Sequence, residues 1–188
     1  RWFTRDLYGV EHGVEDDAKA WIVREGDQGG DPTPYADYPH PSARGVPLRL
    51  TGDGTGIGTL TTAPGGSQDH ARLVDDVSFA GSALAGAEHS QHRLLYATPE
   101  LAEALHLSGP ASVKIRVAAN RPAANLSVWL VSLPWADDGT LTDNVITRGW
   151  ADPQNSESLR TSAPLVPGAF VDLEFDLQPD DQVIPAGQ

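Results

Sequence analysis

Serine, histidine and acidic residues are plentiful in this chain, so the first question is whether any of them stand at a spacing that does chemistry. A nucleophilic serine held on a strained strand-to-helix turn carries a Gly-x-Ser-x-Gly signature, and that signature does not occur. Ser67 and Ser82 each follow a glycine, but both sit in loop sequence without the elbow spacing. A Ser-His-Asp triad is defined by geometry, which scattered residues cannot establish. His89 and His92 stand three apart beside Glu88, with Asp69 and His70 upstream. Two histidines at that spacing share a face only on a helix, and the segment does not read as one; no His-Glu-x-x-His pattern is present either. They are read as loop histidines. Asp137-Asp138 with Asp143, or Asp16-Asp17, offers carboxylates of the kind that hold calcium, yet turn chemistry and solvation explain them as simply.

The glycine run Gly52-Asp53-Gly54-Thr55-Gly56-Ile57-Gly58 is not a phosphate cradle. No Lys-Ser/Thr follows it, and it links strands rather than opening a helix. Trp129, Trp135, Trp150, Tyr35 and Tyr38 could offer stacking faces to a sugar. Trp129 lies inside an apolar strand, which places it in a core, and Trp135 and Trp150 fit burial at a domain interface equally well. No residue is therefore assigned a catalytic, cofactor-binding or metal-ligating role.

The elements around these residues are mostly strands. Residues 1–10 place Trp2, Phe3 and Leu7 on one helical face, with Gly9 as a stop. So short a helix needs a surface to pack on. From Ala18 the period changes to two. Strands are expected at 18–23, 48–51, 59–62, 93–97, 112–118, 126–133, 145–147 and 171–177. The 112–118 and 171–177 segments alternate cleanly, Val113, Ile115 and Val117 against Lys114 and Arg116, and Leu173 and Phe175 against Asp172 and Glu174. Residues 31–47 read as an extended proline-rich loop, 73–79 as a strand or a loop with apolar anchors, and 99–105 as a helix of two turns at most. Strands at roughly ten-residue spacing with 19 Gly and 15 Pro among 188 residues point to an all-β sandwich of jelly-roll type.

Net charge is −13, which repels phosphate backbones and argues against nucleic-acid binding. Cysteine is absent, so disulfides, thiolate metal sites and a cysteine nucleophile are excluded. No apolar run approaches the length that spans a bilayer, and no membrane partner is expected. The compartment is left open between bacterial cytoplasm and export. The chain opens on Arg1-Trp2-Phe3 and closes at Ile184-Pro185-Ala186-Gly187-Gln188, and both ends read as cut.

Several segments taken together are familiar. Residues 1–10, RWFTRDLYGV, resemble the last helix of the α/β-hydrolase domain in X-Pro dipeptidyl-peptidases, cocaine esterases and α-amino-acid ester hydrolases. Leu94-Leu95-Tyr96-Ala97-Thr98-Pro99-Glu100-Leu101 and Leu107-Ser108-Gly109-Pro110 are similar to a stretch of that family's C-terminal sandwich. Ile146-Thr147-Arg148-Gly149-Trp150, Pro164-Leu165-Val166-Pro167-Gly168 and Ile184-Pro185-Ala186-Gly187 follow in the family's order. The resemblance implies a galactose-binding-like jelly roll at residues 17–188, lacking its last strands, preceded at 1–16 by the terminal helix and linker of the hydrolase domain. It also implies that the Ser, Asp and His of the parent's triad lie upstream of residue 1, so none is carried onto this chain. The expected function is that of a structural and assembly domain of an X-Pro dipeptidyl-peptidase-like serine hydrolase. Its expected partner is the parent's own catalytic domain, with a homo-oligomer contact as a further possibility and no cofactor. An independent carbohydrate-binding module of jelly-roll type is the alternative.

Overall fold

The structure is a computed structural model of the 188-residue chain; it describes residues 2–26, 30–52, 55–63, 70–87, 90–135 and 144–188. The helix expected at the start is α1, Trp2–Tyr8. It stops at the expected glycine, because Gly9 adopts φ +64° while its N–H still donates to the Arg5 carbonyl at 2.8 Å. A single 3-10 turn, η1 (Val14–Asp16), then buries Val14.

Everything after η1 is organised by short strands: β1 (Ala20–Ile22), β2 (Thr33–Tyr35), β3 (Arg49–Thr51), β4 (Ile57–Thr61), β5 (Leu95–Ala97), β6 (Leu105–Gly109), β7 (Ser112–Val117), β8 (Leu126–Val131), β9 (Val145–Ala151), β10 (Val171–Asp176) and β11 (Asp180–Ile184). They pair as β1–β2, β3–β4–β5, β6–β11, β7–β10 and β8–β9, all antiparallel except β4–β5. The architecture is all-β, as expected. Between β4 and β5 lies a short helix, α2 (Gly81–Gly86), and after β9 a 3-10 turn, η2 (Pro153–Asn155), is capped by the Asp152 side chain.

The clean alternation in β7 and β10 becomes a register. Lys114 faces Glu174 and Arg116 faces Asp172, with ion-pair distances of 2.8 and 3.0 Å on the exposed side. Such exposed pairs add little stability. They do penalise a one-residue slip, which would turn Leu173, only 5% exposed, out of the core. β9 comes so close to the end of β10 that a Cβ at Gly149 would stand 2.8 Å from the Asp176 carbonyl oxygen, so only glycine fits there. β11 pairs with β6 on one side and meets Glu25 in a parallel bridge on the other.

Three expectations are corrected. Residues 99–105 are not helical: the Leu101 N–H donates to the Gln188 carbonyl and the Gly187 N–H to the Leu101 carbonyl, so this segment clips the C-terminus down and leads into β6. The proline-rich 31–47 segment holds a strand, β2, whose Pro34 sits opposite Trp21 on a two-stranded ribbon, where a missing N–H is tolerated. The helical turn lies instead at α2, whose Leu84 carbonyl, with that of Ala87 just past its end, accepts from the Arg93 guanidinium. Segment 73–79, read as a strand or a loop with apolar anchors, is the loop.

Candidate functional site

The most organised polar cluster centres on Asp181 of β11, which is 5% exposed. Pairing with β6 sets Ser108 directly opposite and His106 opposite Val183, two residues along the same face. Ser108 Oγ donates to Asp181 Oδ2 at 2.5 Å, and His106 Nε2 lies 2.8 Å from Oδ1. Facing a carboxylate, Nε2 carries the hydrogen. The Tyr35 hydroxyl, brought in by β2, donates to the same Oδ1 at 2.9 Å. It accepts in turn from Arg24 Nε at 2.8 Å, whose guanidinium lies 5.4 Å from the Tyr35 ring. The His40 N–H donates to Ser108 Oγ, and the His40 ring meets the Tyr35 ring edge-on at 4.7 Å. Burial pushes the Asp181 carboxyl up, but hydrogen bonds from Ser108, His106 and Tyr35 outweigh it and hold the group below its ordinary value.

This constellation contains a serine, a histidine and an aspartate, yet it is wired against acyl transfer. In a triad the imidazole stands between the hydroxyl and the carboxylate, so that it can take the serine proton. Here the carboxylate stands between the other two. The Ser108 proton points at Asp181, and the nearest basic nitrogen is itself a donor to the same acid. Its chemistry is that of a clasp: one buried anion ties β2, β6 and β11 together. The neighbouring Asp180 behaves in the opposite way. Burial raises its carboxyl, the Asp181 N–H donating to Oδ1 lowers it, and the charge of Asp181 raises it again, for a net upward shift. Its Oδ2 is buried with no donor among the described residues.

Of the residues singled out in the sequence, Ser67, Asp69, Glu88, His89, Asp137, Asp138 and Asp143 lie outside the described residues. Ser82 is exposed on α2. The His92 Nδ1 is 2.7 Å from the Val74 carbonyl and its ring stacks on Phe79, while the His70 ring lies tilted against Phe170 with centroids 4.8 Å apart, so each is engaged in a loop. Asp16 and Asp17 are exposed at the end of η1. Among the described residues no group of three or more His, Asp or Glu is placed to hold a metal ion. Tyr35 is 2% exposed and offers no stacking face to a sugar, while Tyr38 is half-buried with its hydroxyl donating to the Asp180 carbonyl at 3.1 Å. Trp129 is half-buried rather than fully in the core, its Nε1 donating to Ser127. Trp135 is half-buried, and Trp150 is exposed under the Arg148 guanidinium at 5.3 Å.

Sequence reasoning misses the clasp. Its one signal there is Asp180-Asp181, a pair of acids inside a run that should be strand between Leu177 and Val183-Ile184. His106, Ser108 and Arg24 carry no motif, because they meet Asp181 only through long-range pairing.

The second distinctive feature is apolar. α1 has no buried residue: Phe3 is 80% exposed, Leu7 70% and Tyr8 78%, with Trp2 and, on β1, Trp21 also largely exposed. Lone exposed apolar residues are ordinary, but several on one short helix mark a contact surface.

Comparison with known proteins agrees with this picture. Residues 12–188 match the family model described as the X-Pro dipeptidyl-peptidase C-terminal non-catalytic domain. A Rhodopirellula baltica protein, whose name places it among the Xaa-Pro dipeptidyl-peptidases, is 58% identical over 190 residues, covering 100% of this chain and 30% of its own length. The Xaa-Pro dipeptidyl-peptidase of Lactobacillus delbrueckii subsp. lactis is 25% identical over 224 residues, covering 99% of this chain and 28% of its own. The crystal structure of an aminopeptidase from a marine sediment Thaumarchaeota archaeon superposes with a TM-score of 0.58 at 17% identity, over 99% of this chain and 35% of that one, a likeness of fold. The chain thus spans about a third of the length of the relatives it matches. Neither the buried Tyr35 nor these relatives carry the carbohydrate-binding alternative. The chain belongs to the family of X-Pro dipeptidyl-peptidase C-terminal non-catalytic domains.

Proposed function

We propose that this chain is the accessory domain of a longer serine peptidase that removes N-terminal X-Pro dipeptides, and that it serves to support and position the catalytic domain. The observation that carries this reading is the uncovered apolar face of α1, Trp2, Phe3 and Leu7, on a helix of 7 residues that cannot sustain itself. The matched family region begins at residue 12, after α1, which supports placing α1 outside the sandwich and a domain boundary near the one drawn between residues 16 and 17. The relatives' much greater length supplies room for that domain. In this reading the acylating serine, its histidine base and the oxyanion donors belong to the rest of the protein, and the clasp at Asp181 keeps the β1–β2 ribbon fixed to β6 and β11. No residue of the chain is assigned to catalysis.

Hydrogen exchange tests the docking. In the longer protein the amides of residues 5–10 should exchange at least tenfold more slowly than in the 188-residue chain alone. Equal exchange in both would remove the helix from any domain interface.

A further inference from the structure

The β1–β2 ribbon has two unlike faces. Its inner side carries Tyr35, whose hydroxyl donates to Asp181, and Arg24, whose Nε donates to that hydroxyl, while Glu25 bridges β11. Its outer side carries Trp21, 60% exposed, Val23, 51% exposed, and Pro34, which the register sets directly opposite Trp21. These three sit side by side on a ribbon anchored from behind, an exposed apolar patch of the kind that marks a contact surface. Lys19 closes one end of the ribbon with a 2.8 Å ion pair to Asp37.

Beside this face runs a groove of about 600 Å³, with η1 on one wall and Trp21 and Pro34 on the other. More of its lining is apolar than polar. The η1 wall brings Glu15, Asp16 and Asp17, whereas the base in the lining, Lys19, already pairs with Asp37. An apolar floor under a net negative wall fits a segment that is itself apolar and carries a base. A guanidinium or ammonium laid over the indole would also meet the carboxylates.

The rest of the protein can supply such a segment. The family description makes this part C-terminal, and the chain covers 30% of the Rhodopirellula baltica relative, so most of that relative's length precedes it. That length reaches the sandwich through α1 and η1, and η1 is itself the groove wall. The Glu15 carboxyl is held below its ordinary value by its own N–H and, against a desolvation cost, by the Gly13 N–H and the Arg5 charge of α1. A base arriving from the N-terminal side therefore already stands on the acidic wall.

We propose that the outer face of the β1–β2 ribbon is the seat on which the preceding domain rests, an apolar segment of that domain lying on Trp21, Val23 and Pro34 and placing a lysine or arginine against Glu15 and Asp16. This rests on the reading of the chain as an accessory domain, and gives that reading a surface on the sandwich itself, apart from α1.

The test is hydroxyl-radical footprinting of the longer protein, each side chain compared with the same protein unfolded in urea. Trp21 should be protected at least tenfold, where its 60% exposure alone would give less than twofold. Tyr35, 2% exposed on the same ribbon, reports whether the sandwich is folded. Asp16→Lys, at an exposed position, should lower the urea concentration at which Trp21 loses protection by about 0.5 M and leave that for Tyr35 in place. Protection of Trp21 below twofold, or protection that Asp16→Lys does not weaken, would overturn the proposal. Protection that grows with protein concentration would overturn it too, by assigning the face to a second copy. A bare Trp21 beside slowed amide exchange at residues 5–10 would sink this seat alone and leave the accessory role standing. Failure of both would remove the reading on which it rests.

Discussion

Asp181→Ala should cost about 3 kcal/mol, because it strands buried donors around an anion that no longer exists. Ser108 Oγ, His106 Nε2 and the Tyr35 hydroxyl all point into the vacated site, and Tyr35 is among the most buried side chains in the protein. Against a typical total of about 5–15 kcal/mol that is a large fraction, and in a domain of this size it lowers Tm by roughly 6–12 °C. Asp181→Asn should cost less than half as much. Its Oδ1 still accepts, and its amide can donate to Ser108 Oγ. Calorimetry on both variants separates the loss of the whole partner from the loss of charge alone. An Asp181→Ala variant within about 0.5 kcal/mol of wild type would show that the clasp is not structural.

The same group sets an acid limit. Asp181 titrates below its ordinary value in the folded state, so the unfolded chain takes up its proton first as pH falls. The stability it contributes is complete above the ordinary carboxylate range and disappears as pH drops through the folded value. Asp180 works in the opposite sense: its raised carboxyl favours the folded state when protonated, and that contribution fades as pH rises. Asp181→Asn should therefore show a flatter acid limb than wild type in Tm against pH.

The other large effect concerns α1. Changing Trp2, Phe3 and Leu7 together to Ser should leave the 188-residue chain within about 0.5 kcal/mol of its starting stability, since all three are exposed there. In the longer protein the same change removes an interface worth about 5 kcal/mol, from roughly 1.5–3 kcal/mol for each buried large apolar side chain. The expected sign is a change from one cooperative thermal transition to two. A single unchanged transition would mean that these residues face solvent in the whole protein as well.

Strands with their own periodicity are legible in the sequence. β7 and β10 declare themselves through alternation, and their facing charges confirm the register. β2 is hidden because proline turn signals dominate its neighbourhood: Pro32, Pro34 and Pro39 mask a strand of only 3 residues. β6 is hidden because Pro99 to Leu105 reads as a short helix, and only the C-terminal clip at Leu101 decides against one. The clasp is invisible for a different reason. Its members are separated by 146 residues from Tyr35 to Asp181 and by 73 from Ser108 to Asp181, and no local pattern encodes such a meeting. The exposed helix, by contrast, is legible at once, since Trp2, Phe3 and Leu7 sit too close together for a solvated segment.

If the catalytic apparatus of an X-Pro dipeptidyl-peptidase lies outside these 188 residues, turnover of a Gly-Pro chromogenic substrate shows it most directly. The longer protein should release the chromophore, and the 188-residue chain alone should show the buffer rate at matched concentration. Turnover by the isolated chain at a rate comparable to the longer protein, abolished by Ser108→Ala, would contradict the account and make the Asp181 cluster an active site.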